Sequence, residues 1–176
     1  MTVNQPTLGR FFEDFVVGDV YQHPLGRTIS EADNTWFTLL TMNTNQQHFN
    51  AHAARQNPIT GGRVIVNSGL SMAMMLGMSV VDMSQHAVAN LALDNVRLTH
   101  PLYVGDTLYA ESLCTATRRS ESKPFAGIVS MHTRGLNQDG EEILSWDRSV
   151  MVATRESGIG QGYFPAARTG PLGDAE

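Results

Sequence analysis

One cysteine in 176 residues, Cys114, excludes an intramolecular disulfide and fits a reducing compartment. A lone cysteine in a strand-like stretch is expected to be a small buried filler. Charge is sparse too, at 16% of residues with a net of −5. That balance carries no footprint for nucleic acid, yet it leaves room for a local patch that meets an anionic ligand. No uncharged run reaches the ~18–20 residues of a membrane span. The segment Met1-Thr2-Val3-Asn4-Gln5-Pro6 lacks the basic-then-apolar order of a signal peptide. The expectation is a cytoplasmic protein with neither nucleic acid nor membrane as partner.

What is present is an ordinary core. Apolar residues make up 41% of the chain, and this length suits one domain that hides roughly 70% of its unfolded surface. The reading is a domain over 1–156 and a loose, glycine-rich tail over 157–176. Ser30-Glu31-Ala32-Asp33 is a capping signal, followed by a helical stripe of Ala32, Trp36, Phe37, Leu39 and Leu40 that is expected to face the core. A short helix over Phe49 to Arg55 should stop at Asn57-Pro58. Val64 to Met83 has hardly a polar face, so a helix there should be buried nearly all round, begun by Asn67 or Ser68. Strand patterns fill the remainder: Leu91 to Leu98, Thr107 to Ser120, Phe125 to Thr133 and Ile143 to Thr154, with a hairpin at Asn137-Gln138-Asp139-Gly140. Long consecutive hairpins after one apolar helix predict an α+β fold, an antiparallel sheet wrapped around a long buried central helix. Such a sheet leaves an edge and a helix face open, which predicts a homodimer or a dimer-based oligomer.

The stretch Asn43-Thr44-Asn45-Gln46-Gln47-His48-Phe49-Asn50 crowds amides around one histidine, an arrangement that is costly beside apolar surface unless something satisfies it. Its spacing resembles the Gly-Asp-x-Asn-Pro-[aliphatic]-His-x-[Asp/Glu] pattern of the MaoC-like dehydratases, the hot-dog-fold family that includes R-specific enoyl-CoA hydratases. Asn45 and His48 match; Met42, Asn43, Gln46 and Asn50 stand where the family has Gly, Asp, Pro and the final acid. Phe12-Glu13-Asp14-Phe15 with Val17-Gly18-Asp19, Val66-Asn67-Ser68-Gly69-Leu70, and Pro101-Leu102-Tyr103-Val104-Gly105-Asp106-Thr107-Leu108 look like the family as well. The flavour of the His48 loop is nearest to the mesaconyl-CoA hydratase (β-methylmalyl-CoA dehydratase) branch.

The resemblance implies reversible addition of water across the double bond of an enoyl-CoA, with a branched or dicarboxylic acyl group such as mesaconyl-CoA. No metal or redox cofactor is implied, since CoA arrives within the substrate. His48 would be the acid/base, as an imidazole titrates near neutrality. Gly69, with Ser68, would hold the thioester oxygen at a helix start. Asn45 would fix the loop. The amide-rich loop adds an expectation of its own, that Gln46, Gln47 and Asn50, with Arg63, meet a polar acyl group such as a second carboxylate. Asn43 cannot exchange a proton near neutral pH but can position water. Three readings stay open: His48 acts alone, another carboxylate such as Asp33 or Asp94 reaches the site, or the chain binds acyl-CoA without hydrating it. A thioesterase on the same fold is a further alternative. His48 and His52 lack the Glu of a His-Glu-x-x-His zinc helix, and Gly158-Ile159-Gly160-Gln161-Gly162 precedes no helix that would make it a dinucleotide loop.

Overall fold

A computed structural model describes residues 8–169; the segment weighed against a signal peptide and the last seven residues of the tail lie outside them. Two short strands come first, β1 (Val20–Gln22) and β2 (Arg27–Thr28), followed by the helices α1 (Glu31–Leu40), α2 (Ala51–Arg55) and α3 (Ser68–Met78). Four long strands close the chain: β3 (Ala87–Leu98), β4 (Thr107–Arg119), β5 (Ala126–Leu136) and β6 (Glu142–Ala153). All pairings are antiparallel, in the order β1-β4-β5-β6-β3, with β2 also on β4.

The sheet wraps α3 because glycine lets it. A Cβ on Gly135 would lie 2.9 Å from the sulfur of Met75 and 3.1 Å from Leu108 and Leu144. A side chain at this point of β5 would collide with the helix's Met75. Met75 is fully buried there, with Leu70, Leu108, Leu144 and Trp146 around it. Burying one such methionine stabilises the fold by about 2 kcal/mol. A further cluster, including Phe15, Met83, Cys114 and Val150, fills the other end. Cys114 is a buried thiol, pushed up in pKa by that burial.

The central helix is shorter than its apolar run. Val64 to Asn67 is extended rather than helical: Ile65 bridges Tyr103 and Val66 N–H donates to the Leu102 carbonyl at 2.8 Å. Asn67 then caps α3 by accepting from the Gly69 N–H at 2.9 Å, which starts the helix late. After Met78 the chain widens into a π-helical turn, Val80–Ser84. Nor is α3 covered all round, since Ala73, Gly77 and Val80 are exposed along one face. At its C-terminus Arg148 is 5% exposed, donating to the Ser79 hydroxyl and to Asn90. The negative end of the helix dipole meets this buried guanidinium.

α1 keeps its expected orientation only at Phe37, which packs against the core around α3. The capping box forms as expected, with the Ser30 hydroxyl accepting from Asp33 N–H and the Asp33 carboxylate accepting from Ser30 N–H. Yet the buried side chains are Asn34 and Thr38, while Trp36, Leu39 and Leu40 are 79%, 55% and 82% exposed. The polar stripe at i, i+4 points inward because it has hydrogen bonds to make there. β3 is likewise open, with Leu91, Leu93, Val96 and Leu98 exposed along an edge strand that pairs on one side with β6. Among the described residues no helix is long and apolar enough to cross a membrane.

Candidate functional site

A cavity of about 340 Å³ opens at the first turn of α3, within the usual size range of ligand sites. Its walls are mostly apolar, from Ile65, Val66, Leu98, Leu102, Ile143 and Leu144; His48, Ser68, Ser71, Thr99 and His100 supply polarity.

His48 ends a 3-10 turn, Gln46–His48, which Asn45 caps by accepting from Gln47 N–H at 3.1 Å. Asn45 therefore takes the loop-fixing place expected of it. The His48 ring is half-buried, and its Nδ1 lies 3.0 Å from the Ile65 carbonyl. A carbonyl only accepts, so Nδ1 carries the hydrogen and Nε2 keeps its lone pair. The carbonyl bond thus orients the ring and sets its tautomer.

Asn34 holds this arrangement together, and no motif in the sequence points to it. It is fully buried. Its amide donates to the His48 carbonyl at 2.7 Å and the Ile65 carbonyl at 3.1 Å, and its oxygen accepts from Asn67 N–H at 2.8 Å. Asn67, in turn, donates from its side chain to the fully buried Thr38 hydroxyl at 3.2 Å. One side chain on α1 thereby ties the histidine loop, the extended segment and the start of α3. The only sequence signal is an Asn and a Thr four residues apart within an apolar helix, which reads as surface until the fold is known.

Other expected site residues fall elsewhere. Asn43 does not line the cavity; its side-chain oxygen closes the turn by accepting from Asn45 N–H at 2.9 Å. Gly69 N–H is already spent on the Asn67 cap, and the Gly69 Cα faces the Phe37 ring, 3.2 Å from where a Cβ would sit. Ser68, at the first helical position and in the cavity wall, keeps a backbone N–H that a helix leaves without an internal acceptor. Gln47 accepts from Asn57, and Asn50 caps α2 through His52 and Ala53. Arg63 stacks 3.5 Å from the Tyr103 ring centroid and lies 3.8 Å from Asp106. None of these three lines the cavity. Asp33 caps α1 and Asp94 is exposed on β3, and neither lines this cavity. His52 meets Gln56, and among the described residues no group of three His, Cys, Asp or Glu is placed to hold a metal ion.

Another polar cluster has the residue set of a catalytic site but is closed by burial. Asp82, His23 and Ser112 follow in the order of a hydrolase triad, with His23 Nδ1 3.0 Å from Asp82 and Nε2 3.0 Å from the Ser112 hydroxyl. Ser112 is 1% exposed, and its hydroxyl also meets Thr133 at 2.8 Å. Ser112 lines neither the cavity at α3 nor the groove along α1. Burial pushes His23 below its ordinary value, outweighing the upward pull of Asp82. Burial pushes Asp82 up, but hydrogen bonds from His23 and Arg10 prevail and hold its carboxyl below the usual range.

Comparison with known proteins places this geometry. The family model described as mesaconyl-CoA hydratase matches residues 3–167. A mesaconyl-CoA hydratase from Cereibacter sphaeroides is 34% identical over 149 residues, 85% of this chain but 43% of that protein. Among solved structures, a protein described as a MaoC-domain dehydratase from Chloroflexus aurantiacus superposes with a TM-score of 0.77 at 29% identity, over 93% of this chain and 45% of that one. A Mycobacterium tuberculosis protein described as a double hot-dog fold reaches a TM-score of 0.73 at 22% identity, over 93% and 48% respectively. The chain thus spans less than half the length of each of these relatives. With the matched region running over nearly all of the described residues, the chain belongs to the mesaconyl-CoA hydratase family, a MaoC-like branch of the hot-dog fold.

Proposed function

We propose that this protein adds water reversibly across the double bond of an enoyl-CoA thioester, with mesaconyl-CoA as the acyl substrate its family points to. The observation that carries the reading is the tautomer of His48: Nδ1 is spent on the Ile65 carbonyl, so a basic Nε2 remains for a cavity that opens at a helix start. In the hydration direction Nε2 takes a proton from water as the oxygen attacks Cβ. Charge then builds on the thioester oxygen, where the α3 N-terminus and the Ser68 N–H offer a dipole and a donor. The imidazolium returns the same proton to Cα on the same face. One histidine suffices for a syn addition, which accommodates the loss of the family carboxylate at Asn43. CoA enters as part of the substrate, and the steps draw on no other cofactor.

We also propose that a second copy of this chain covers the open surfaces. The β3 edge, the outward Trp36, Leu39 and Leu40, and the bare face of α3 form apolar surface of the kind that marks an interface. Relatives of about twice the length support a paired unit. The single free thiol, buried in β4, fits a cytoplasmic setting.

The test is a panel of enoyl-CoAs including mesaconyl-CoA, read by loss of the conjugated thioester absorbance. Hydration of at least one member is the expected result. Release of free CoA thiol would identify a thioesterase, and binding without turnover a carrier. Light scattering should give twice the 19.2 kDa chain mass; a monomer at micromolar concentration sinks the pairing.

A further inference from the structure

The cavity holds another histidine that this proton chemistry leaves idle. His100 lies between β3 and β4 and lines the same wall system as His48. The two hang on neighbouring segments: His48 on the Ile65 carbonyl, His100 just ahead of Leu102, and the segments are joined by Val66 N–H to Leu102 O at 2.8 Å.

Side chains of exposed loop residues are usually loose, but this corner is clamped. The backbone N–H groups of Thr99 and His100 both donate to the Ile143 carbonyl, at 2.9 and 3.3 Å. The Thr99 hydroxyl and His100 Nδ1 both donate to the Glu142 carbonyl, at 2.5 and 2.8 Å. Two residues thus make four hydrogen bonds to the start of β6. With Nδ1 committed as a donor, protonation adds its hydrogen at Nε2 and turns that atom into a charged donor.

An acyl group bearing an additional, ionised carboxylate needs such a donor. Most of the cavity wall is aliphatic, and a carboxylate left unpaired against it carries a heavy desolvation cost. Gln47, Asn50 and Arg63 do not line the cavity. Among the described lining residues, His48 and His100 are the titratable ones, and His48 is occupied with the proton. The charged residue bonded to His100 is Glu142, which meets it through its backbone oxygen.

We propose that protonated His100 receives the free carboxylate of a dicarboxylic enoyl thioester through Nε2–H, and so selects such acyl groups over monocarboxylic ones. This rests on the hydratase reading of the same cavity. A charge-assisted hydrogen bond of this kind is worth roughly a 10–100-fold preference.

The probes are mesaconyl-CoA and 2-methylbut-2-enoyl-CoA, in which a methyl replaces the carboxylate. The variants are His100→Ala and His100→Asn, the latter able to keep a donor to the Glu142 carbonyl while losing the cation. The ratio of kcat/KM for the two thioesters should fall about 10–100-fold in both variants. A ratio unchanged by substitution, or an equal loss on both substrates, overturns the assignment. Calorimetric binding of the saturated pair, methylsuccinyl-CoA and 2-methylbutyryl-CoA, reads the same preference without catalysis. If wild-type protein hydrates nothing, the hydratase reading fails alone, and a binding preference kept or lost in His100→Asn still decides the role of His100.

Discussion

His48 and His23 are both anchored at Nδ1, yet their second ring nitrogens meet different surroundings. His48 hangs from a backbone carbonyl and lines a cavity, with Nε2 left without a hydrogen-bond partner among the described residues. His23 hangs from the Asp82 carboxylate with Nε2 closed by a buried serine. By composition His23 has the stronger claim to catalysis, since acid, base and hydroxyl stand in order around it. On the proposed reading, reactivity follows the unspent valence rather than the residue set: a satisfied network stabilises, and an unspent ring nitrogen beside a cavity is available for proton transfer.

Replacing each histidine tests this contrast most harshly. His48→Ala should cut kcat for enoyl-CoA hydration by about 10²–10⁴-fold, the usual range for a lost general acid/base. Its thermal unfolding should shift little, because the ring is half-buried and makes one backbone bond. Absorbance kinetics beside a melting curve check both halves. A comparable loss of turnover in a folded His23→Gln would break the comparison.

Asn34→Ala probes the support behind the open valence. It strands the His48 carbonyl and the Asn67 N–H at a fully buried position and removes one of the two donors to the Ile65 carbonyl, which should cost about 2–4 kcal/mol of unfolding free energy. Urea denaturation measures it. Activity per folded molecule should fall as well, because the His48 loop loses its tie to α3. Full activity in the surviving folded fraction would show that Asn34 stabilises the fold without aiming the histidine.

The closed cluster should appear in stability and its pH dependence. Asp82→Asn weakens the pairing with both Arg10 and His23 and should cost about 2 kcal/mol at neutral pH, leaving hydration rates near wild type. His23 is held below its ordinary 6.5 in the fold. Its contribution is complete above that value and is lost as pH falls through 6.5 toward the folded pKa, because the unfolded chain then binds the extra proton. Asp82, held below 3.8, contributes above that value and loses its share as pH drops through its folded pKa. Urea titrations at pH 7.5 and 5.5 should show a smaller acid loss in His23→Gln than in wild type. Equal losses would mean that other groups set the slope.

Local rules make much of this fold legible. The Ser30–Asp33 capping box, the hairpin at Asn137–Gly140 and the alternation over most of β4 and β5 depend on near neighbours, and all form where the pattern places them. His48 and the Asn45 turn are legible through spacing. What escapes depends on distant partners. Trp36 and Leu40 read as inward because apolar residues are usually buried, whereas the interior around α1 is a hydrogen-bonded seam that Asn34 and Thr38 satisfy. Asn43 and Gly69 take their expected roles from family position, but one closes a turn and the other lends its N–H to a cap. His100 carries no signal in the sequence because its cavity is made by strand pairing far along the chain.

The smallest expected effect lies next to the open histidine. Met42 occupies the position of the family glycine and sits at φ 56°, a left-handed conformation that costs a residue with a Cβ about 1 kcal/mol. Its side chain is 87% exposed, so Met42→Gly removes strain without removing packing in the single chain. The gain is partly offset by the greater freedom of glycine when unfolded, leaving about 0.5 kcal/mol of stabilisation. If a second copy covers the outward face of α1, Met42 gains a partner there, and its removal weakens association. Unfolding followed at low and high protein concentration separates the two. A gain at low concentration that shrinks or reverses at high concentration means the methionine is kept for the interface, whereas a gain independent of concentration leaves Met42 as unrelieved strain in the loop that aims His48.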